Sequence, residues 1–404
     1  MLTAKDFFLY QDYPAFKVNG STVVFDYDKF ITLTDDITLS EPFISKKVFD
    51  TNNPIITFIT THDCNLNCRY CSVSAGDTKL VMDFNIAKTV IDKTLQQNLK
   101  IETLHIIFFG GEPSMSYNLI QQIIVYIKQL GVNVNYYIST NGVLSKSFIE
   151  LLSINKFIVN LSFDGIPDIQ DIQRPLTNGK PSHSFVEKTI KSFLSKDIIF
   201  KVRATVTDKS VDSMLDFMQY LQKLGVKTVH FEPLNICGRA ENLEFKSPEL
   251  TQFISNYKKC VDFASDNDME LVNGVYDNLF NPSFDYCSAI TGKKLVITPN
   301  GYITRCYEIQ SEKDLYFSKF VVGKVTDNDI ILFPNQEENI NNILGDIKNH
   351  CKDCFAKYIC STGCTIRTYR HLTDDRFDID YRCNFAKELI SDFISRFWQE
   401  SLNT

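Results

Sequence analysis

From residue 54 onwards, apolar residues follow two alternating patterns along the chain. Short runs rich in β-branched and aromatic residues predict strands, and the segments between them keep the spacing of amphipathic helices. Six strands are predicted, at 55–60, 103–109, 134–139, 157–163, 198–205 and 227–231. The clearest helices are predicted over 117–130 and 211–224. Each of these two is followed by a glycine, which favours a helix end.

Six strand–helix repeats predict a parallel sheet, because successive parallel strands are joined by right-handed crossovers. We therefore expect an α/β fold, a partial (β/α)6 TIM-like barrel with its sites at the C-terminal strand ends. Residues 1–50 alternate more weakly, and Asn19-Gly20 is a hairpin signal between two apolar runs. This segment is expected to form one or two antiparallel strands, a β cap on one end of the barrel.

Length, composition and charge indicate which kinds of protein and partner this chain fits. The chain has 404 residues, 44% of them hydrophobic, which suits a barrel with an appended module. The net charge of −7 disfavours a nucleic-acid partner. Neither a signal peptide nor a membrane-spanning run is visible, so we expect a cytoplasmic protein with no membrane partner. In a reducing cytoplasm, clustered cysteines indicate metal ligands rather than disulfides.

Three of the twelve cysteines, Cys64, Cys68 and Cys71, directly follow the first predicted strand. Three thiolates on a loop can hold one face of a [4Fe–4S] cube, which normally takes four cysteines, and so leave one iron open. The alternative is a structural zinc site with His62 as the fourth ligand.

The Cys-x3-Cys-x2-Cys spacing and its position resemble the radical S-adenosylmethionine (SAM) family. The resemblance implies that the open iron binds the amino and carboxylate groups of SAM. The reduced cluster then cleaves SAM, and a 5′-deoxyadenosyl radical removes hydrogen from a substrate. Such chemistry implies an external electron donor of the flavodoxin or ferredoxin type.

Further residues match motifs of this family. The segment Gly110-Gly111-Glu112-Pro113 follows the second strand and resembles the motif that binds the SAM amino group. Tyr70 and Leu234 resemble the residues that pack on the adenine, although both are ordinary core residues by composition. Small polar residues at the next strand ends are candidate ribose or carboxylate ligands: Ser139, Asn141, Ser162 and Asp164.

The carboxylate of SAM needs a cation, and two arginines are candidates. Arg174 follows the fourth strand and Arg203 lies in the fifth, and the pattern does not decide between them. Asp171 stands where the family commonly has a histidine, which is a departure from the family pattern. Asn141 and Asp164 each precede a glycine, so both could instead be turn residues.

The last third of the chain contains seven ordered cysteines, which resemble the SPASM domain of peptide- and protein-modifying radical SAM enzymes. The resemblance implies two auxiliary [4Fe–4S] clusters, three clusters in all. Cys351, Cys354, Cys360 and Cys383 would bind the outer one, and Cys287, Cys306 and Cys364 the inner one. The inner cluster would have an open iron, or a ligand from Cys260 or the substrate. A pair of zinc sites is the alternative.

These resemblances predict a SPASM-type maturase that forms a thioether or carbon–carbon crosslink, or another oxidation, in a ribosomally synthesised peptide. The alternative is an anaerobic sulfatase maturase, in which a catalytic aspartate follows the cysteine matching Cys306. Here Tyr307 and Glu308 follow it, and Glu308 is a candidate base.

The expected domains are a β cap (1–50), a radical SAM barrel (51–240), a helical linker (241–282), a SPASM domain (283–385) and a C-terminal helix (386–404). Residues 1–50 are short for a leader-recognition domain. A separate partner protein is therefore one expectation for how the leader is bound, and binding by the N-terminal strands and the SPASM surface is the other.

Overall fold

The computed structural model describes residues 2–33, 39–40, 52–97, 100–242, 244–284, 286–374 and 380–402. Parts of the predicted β cap (34–38 and 41–50) and of the predicted SPASM domain (285 and 375–379) lie outside the described residues. No helix within the described ranges is long and apolar enough to cross a membrane.

The strands are β1 (Phe7–Tyr10), β2 (Tyr13–Val18), β3 (Ser21–Phe25), β4 (Phe30–Thr32), β5 (Ile55–Thr61), β6 (Leu104–Gly110), β7 (Val134–Thr140), β8 (Ile158–Ser162), β9 (Ile199–Val206), β10 (Thr228–Pro233), β11 (Glu270–Leu271), β12 (Lys294–Ile297), β13 (Tyr302–Thr304), β14 (Val321–Val325) and β15 (Ile330–Leu332). The helices are α1 (Phe84–Gln97), α2 (Tyr117–Leu130), α3 (Lys146–Ile154), α4 (Pro167–Gln173), α5 (His183–Ser195), α6 (Met214–Leu224), α7 (Leu250–Asp266), α8 (Gly274–Leu279), α9 (Phe317–Phe320), α10 (Gln336–His350), α11 (Thr365–Thr373) and α12 (Asp380–Ser401).

The chain divides into two compact units. One contains Phe49–Leu271 and Thr291–Glu337, and the other contains Met1–Val48, Val272–Ile290 and Glu338–Thr404. The domain limits expected from the sequence remain predictions.

The first unit is built on the predicted parallel sheet. Its strands β5 to β10 are neighbours in chain order and parallel, joined by helices, so the predicted α/β alternation is confirmed. The predicted apolar stripe of α2 is buried, from Leu119 to Ile127, and Gly131 ends the helix in a left-handed conformation. Beyond β5 the sheet continues: β12 pairs with β5 in parallel, and β13 to β15 follow antiparallel.

The other unit contains the N-terminal strands. They form an antiparallel sheet of four strands, β1 to β4, rather than the one or two expected. The predicted turn at Asn19-Gly20 joins β2 to β3 with both residues at positive φ. The sheet packs on α12, where the ring of Phe16 meets that of Trp398 edge-on at 5.8 Å between centroids. Aromatic residues between Phe7 and Phe30 thus form a core with residues more than 300 positions later.

Candidate active site

The cysteine loop begins where β5 ends, at the carboxyl edge of the parallel sheet. Cys64 is buried, Cys68 and Cys71 are half-buried, and all three pack in one apolar cluster with Leu66 and Ala75. Backbone amides approach two of the sulfurs: Leu66 N lies 3.4 Å from Cys64 Sγ, and Ala75 N lies 3.3 Å from Cys71 Sγ. The loop therefore presents three thiols from one short segment, as the spacing predicts.

Burial makes the thiols of Cys64 and Cys68 costly to ionise without a metal. Desolvation, reinforced by Glu112 and the two other thiols, raises the pKa of Cys64 to about 12. Desolvation likewise raises the pKa of Cys68 to about 11, although Arg174 opposes this shift. A bound cluster deprotonates its cysteine ligands because the iron charge outweighs desolvation. The three thiols pack together in the loop, which fits a shared cluster.

His62, the fourth ligand of the zinc alternative, makes other contacts. Its Nδ1 lies 3.4 Å from Thr78 Oγ1, and burial lowers its pKa. Across the described ranges, no group of three or more His, Cys, Asp or Glu side chains could hold one metal ion. The cysteines of a cubane each bind a different iron, so they need not converge on a single point.

The two glycines after β6 let its end approach the start of the cysteine loop. A Cβ at Gly110 would lie 2.4 Å from the carbonyl oxygen of Thr61, and one at Gly111 would lie 2.2 Å from that of Asp63. Gly111 N and Glu112 N donate to these same carbonyls at 2.8 Å. The glycines therefore allow a close approach between two stretches of protein backbone, and this contact aligns the motif with the cysteines.

Glu112 is fully buried at the same edge of the sheet. Its carboxylate accepts hydrogen bonds from Ser114 N (3.0 Å), Thr140 Oγ1 (2.8 Å) and Asn141 N (2.7 Å). Burial raises the pKa of Glu112, and these donors oppose the shift. Asn141 in turn reaches the cysteine loop, with Nδ2 3.6 Å from Cys64 Sγ. Two predicted SAM ligands and a cluster cysteine therefore meet in one place.

Asp164 and Arg174 form a buried ion pair beyond the end of β8. Asp164 Oδ2 lies 2.9 Å from Arg174 Nε, accepts from Gln173 Nε2 at 2.7 Å, and accepts from the Tyr70 hydroxyl. Its Oδ1 accepts from Thr205 N at 3.0 Å. The Arg174 guanidinium also lies over the Tyr70 ring, 5.3 Å from its centroid. Protein groups thus surround the Asp164 carboxylate, and no pattern of residues along the chain indicated that Gln173 is one of them.

The remaining predicted SAM residues fall into two groups. Tyr70 and Leu234 belong to one buried apolar cluster, as a shared adenine pocket would require. Ser162 and Arg203 are register partners on adjacent strands, whereas Ser139 is half-buried on β7. Arg203 is exposed, and among the described residues it forms no ion pair.

The departure at Asp171 has a structural explanation. Its Oδ1 accepts hydrogen bonds from Ser182 N and His183 N, both at 2.7 Å. These amides open α5, so the carboxylate satisfies donors at a helix start and suits its dipole.

The four cysteines expected to bind the outer auxiliary cluster line one cavity: Cys351, Cys354, Cys360 and Cys383. Burial raises the pKa of Cys360 to about 12, with Arg382 opposing and the other three thiols reinforcing the shift. Arg382, Lys357 and Lys387 also line the cavity. Cations around a four-thiolate set fit a cluster that carries net negative charge.

The cysteines assigned to the inner cluster do not all belong to one unit. Cys306 follows β13 in the unit of the parallel sheet, and Cys287 and Cys364 lie in the other. All three are half-buried. Cys260 is fully buried within α7, and Glu308 is half-buried. The inner ligand set remains a prediction.

Comparisons with known proteins agree with this geometry. Residues 58–221 match the Radical SAM superfamily. An uncharacterised protein of Methanocaldococcus jannaschii is 37% identical over 177 residues, which are 43% of this chain and 60% of that protein. A cysteine-type anaerobic sulfatase-maturating enzyme of Clostridium perfringens is 23% identical over 80% of this chain and 92% of the enzyme.

Solved structures share the fold. The structure of native anSMEcpe with bound AdoMet and Cp18Cys peptide has a TM-score of 0.67 at 19% identity, covering 87% of this chain and 99% of that one. Streptococcus suis SuiB bound to its precursor peptide SuiA has a TM-score of 0.56 at 15% identity, covering 78% and 73%.

The family, the fold class and the SAM and [4Fe–4S] cofactors expected from the sequence are thereby confirmed. Residues 58–221 of this chain therefore form a domain of the Radical SAM superfamily.

Proposed function

We propose that this enzyme is a SPASM-type maturase that oxidises a ribosomally synthesised peptide and forms a thioether or carbon–carbon crosslink. Sulfatase maturation is the alternative, supported by the similarity to the C. perfringens enzyme over most of both chains. The likeness to SuiB with its precursor peptide is a likeness of fold at low identity.

The observation that favours the first function is the placement of Tyr307, where a sulfatase maturase would have its aspartate. Its hydroxyl lies 3.1 Å from Thr57 Oγ1, and its ring meets Phe109 edge-on at 5.2 Å. Phe109 directly precedes Gly110 at the carboxyl end of β6. A phenol, rather than a carboxylate, therefore stands beside the SAM motif, and it is a weaker proton acceptor at neutral pH.

When bound, SAM and the reduced cluster supply the 5′-deoxyadenosyl radical. Cys64, Cys68 and Cys71 would hold that cluster, and Tyr70 and Leu234 would pack on the adenine. For the SAM carboxylate we assign Ser162 and Arg203, because Arg174 already pairs with Asp164. Arg203 is exposed on β9 and free of a carboxylate partner among the described residues, so its charge is available.

In the C-terminal third, Cys351, Cys354, Cys360 and Cys383 would hold the outer auxiliary cluster, consistent with the cavity that they line. Cys287, Cys306 and Cys364 would hold the inner one. An external flavodoxin- or ferredoxin-type electron donor and a separate leader-recognition protein remain predictions.

The deciding experiment offers the reduced, reconstituted enzyme two substrates in separate reactions. One is a precursor peptide encoded beside its gene, and the other is a peptide spanning the maturation cysteine of a sulfatase. Mass spectrometry then follows 5′-deoxyadenosine and the peptide. Loss of two hydrogens from the precursor, with sulfur retained, is the expected result. Loss of sulfur from the sulfatase peptide, with the precursor unchanged, would replace the proposal by its alternative.

A further inference from the structure

The cysteine loop is held on two sides by different parts of the chain. Its first half is tied to the end of α4 and the segment after it: Asn67 N donates to Pro175 O at 2.8 Å, and Arg69 N donates to Gln173 O at 3.0 Å. The second half, which contains Cys71, is tied to a turn after β10 instead. Residues 64–77 have little regular structure of their own, so these ties position the thiols.

The second tie consists of Gly238 and Arg239. Gly238 has a φ of +57°, and a Cβ there would lie 2.5 Å from the carbonyl oxygens of both Cys71 and Ser72. Arg239 N donates to Cys71 O at 3.0 Å. The backbone of this turn is thus packed directly against the carbonyl of a cluster cysteine.

The Arg239 side chain extends the same contact along the loop. Its Nη1 lies 3.4 Å from Cys68 O, and its Nη2 lies 2.6 Å from Ala75 O and 2.5 Å from Asp77 Oδ1. The Arg239 side chain is 18% exposed, whereas that of Asp77 is 63% exposed. The two carbonyls flank Cys71, so one planar guanidinium spans the second half of the loop.

We infer that Arg239 is a positioning residue for the SAM-binding [4Fe–4S] cluster, holding Cys68 and Cys71 in the spacing that the cluster requires. This inference rests on the radical SAM assignment and adds a residue that no family motif in the sequence indicated. A lysine has the same charge but is a single point donor, and cannot reproduce the fork that bonds both carbonyls.

The test measures the cluster itself in the full-length, anaerobically reconstituted protein. Arg239→Lys and Arg239→Gln should both release the iron of this cluster to a chelator faster, on the order of ten-fold, as for other partners of metal ligands. The electron paramagnetic resonance signal of the reduced cluster should respond less to added SAM. In the metal-free proteins, the amides of the cysteine loop should exchange hydrogen faster.

Two controls separate positioning from a general loss of folding. Asp77→Asn removes only the exposed ion pair, and should leave iron release within about two-fold of wild type. The auxiliary-cluster signals should be unchanged in every variant, because those cysteines lie elsewhere in the chain. Wild-type iron release and SAM response in both Arg239 variants would overturn the inference. An equal loss of all clusters in these variants would also overturn it. A wild-type protein that binds no cluster at the cysteine loop would contradict the radical SAM assignment instead.

Discussion

The Arg174 guanidinium lies 2.9 Å from the Asp164 carboxylate, and both side chains are almost fully buried. Tyr70 and Gln173 also donate to this carboxylate. An arginine that the sequence offered as a SAM ligand is therefore part of a buried polar network, whereas Arg203, the other candidate, is exposed.

Replacing Asp164 by Asn should destabilise the metal-free protein by about 3–5 kcal/mol, because it leaves the buried Arg174 charge without a partner. Chemical denaturation, monitored by far-ultraviolet circular dichroism, measures the change in the free energy of unfolding. The matched control is Glu150→Gln, which breaks an exposed pair with Lys196 and should cost less than about 1 kcal/mol. Equal losses of stability in the two variants would show that the buried ion pair stabilises the protein no more than the exposed one.

Gly111→Ala should destabilise the protein by about 1–3 kcal/mol, because its Cβ would overlap the carbonyl oxygen of Asp63 and neither backbone can move freely. Iron binding by the cysteine loop should fall as well. Gly345→Ala, in α10, has nothing within 4 Å of the new Cβ and should stabilise by up to about 1 kcal/mol. Thermal melting of both variants checks the prediction, and an unchanged melting temperature for Gly111→Ala would contradict it.

The triple change of Cys64, Cys68 and Cys71 to Ala should lower iron from about twelve to about eight atoms per chain, if each cubane holds four. Iron and sulfide analysis after anaerobic reconstitution is the measurement. Cys260→Ala is the matched control, since this thiol is fully buried in α7 and should leave iron unchanged. Bound zinc, or unchanged iron in the triple variant, would refute a cluster at this loop.

Stability should fall below about pH 6.5 partly through His183. Burial lowers the pKa of this imidazole in the folded protein, so the unfolded chain takes up the proton first as the pH falls. His183→Gln should therefore reduce the loss of stability between about pH 7.5 and about pH 5.5. Denaturation at both pH values tests this, and an identical loss in the variant would exclude a contribution from His183.

Local patterns were sufficient for much of this protein. Strand and helix periodicity predicted the parallel sheet from β5 to β10. The cysteine spacing carried the resemblance to a family, and that resemblance implied the set of four thiols that share a cavity. The strands, the helices and the cysteine loop could be predicted because each depends on residues close together in the chain.

Contacts between residues far apart in the chain became known only from the tertiary structure. The sequence left Arg174 and Arg203 as equal candidates, and only the fold brings Asp164 to Arg174. It also adds β12 to the parallel sheet beside β5, about 240 positions away, and carries Arg239 to the cysteine loop. Pairing of this kind is set by the packing of whole elements, which no local pattern of residue types encodes.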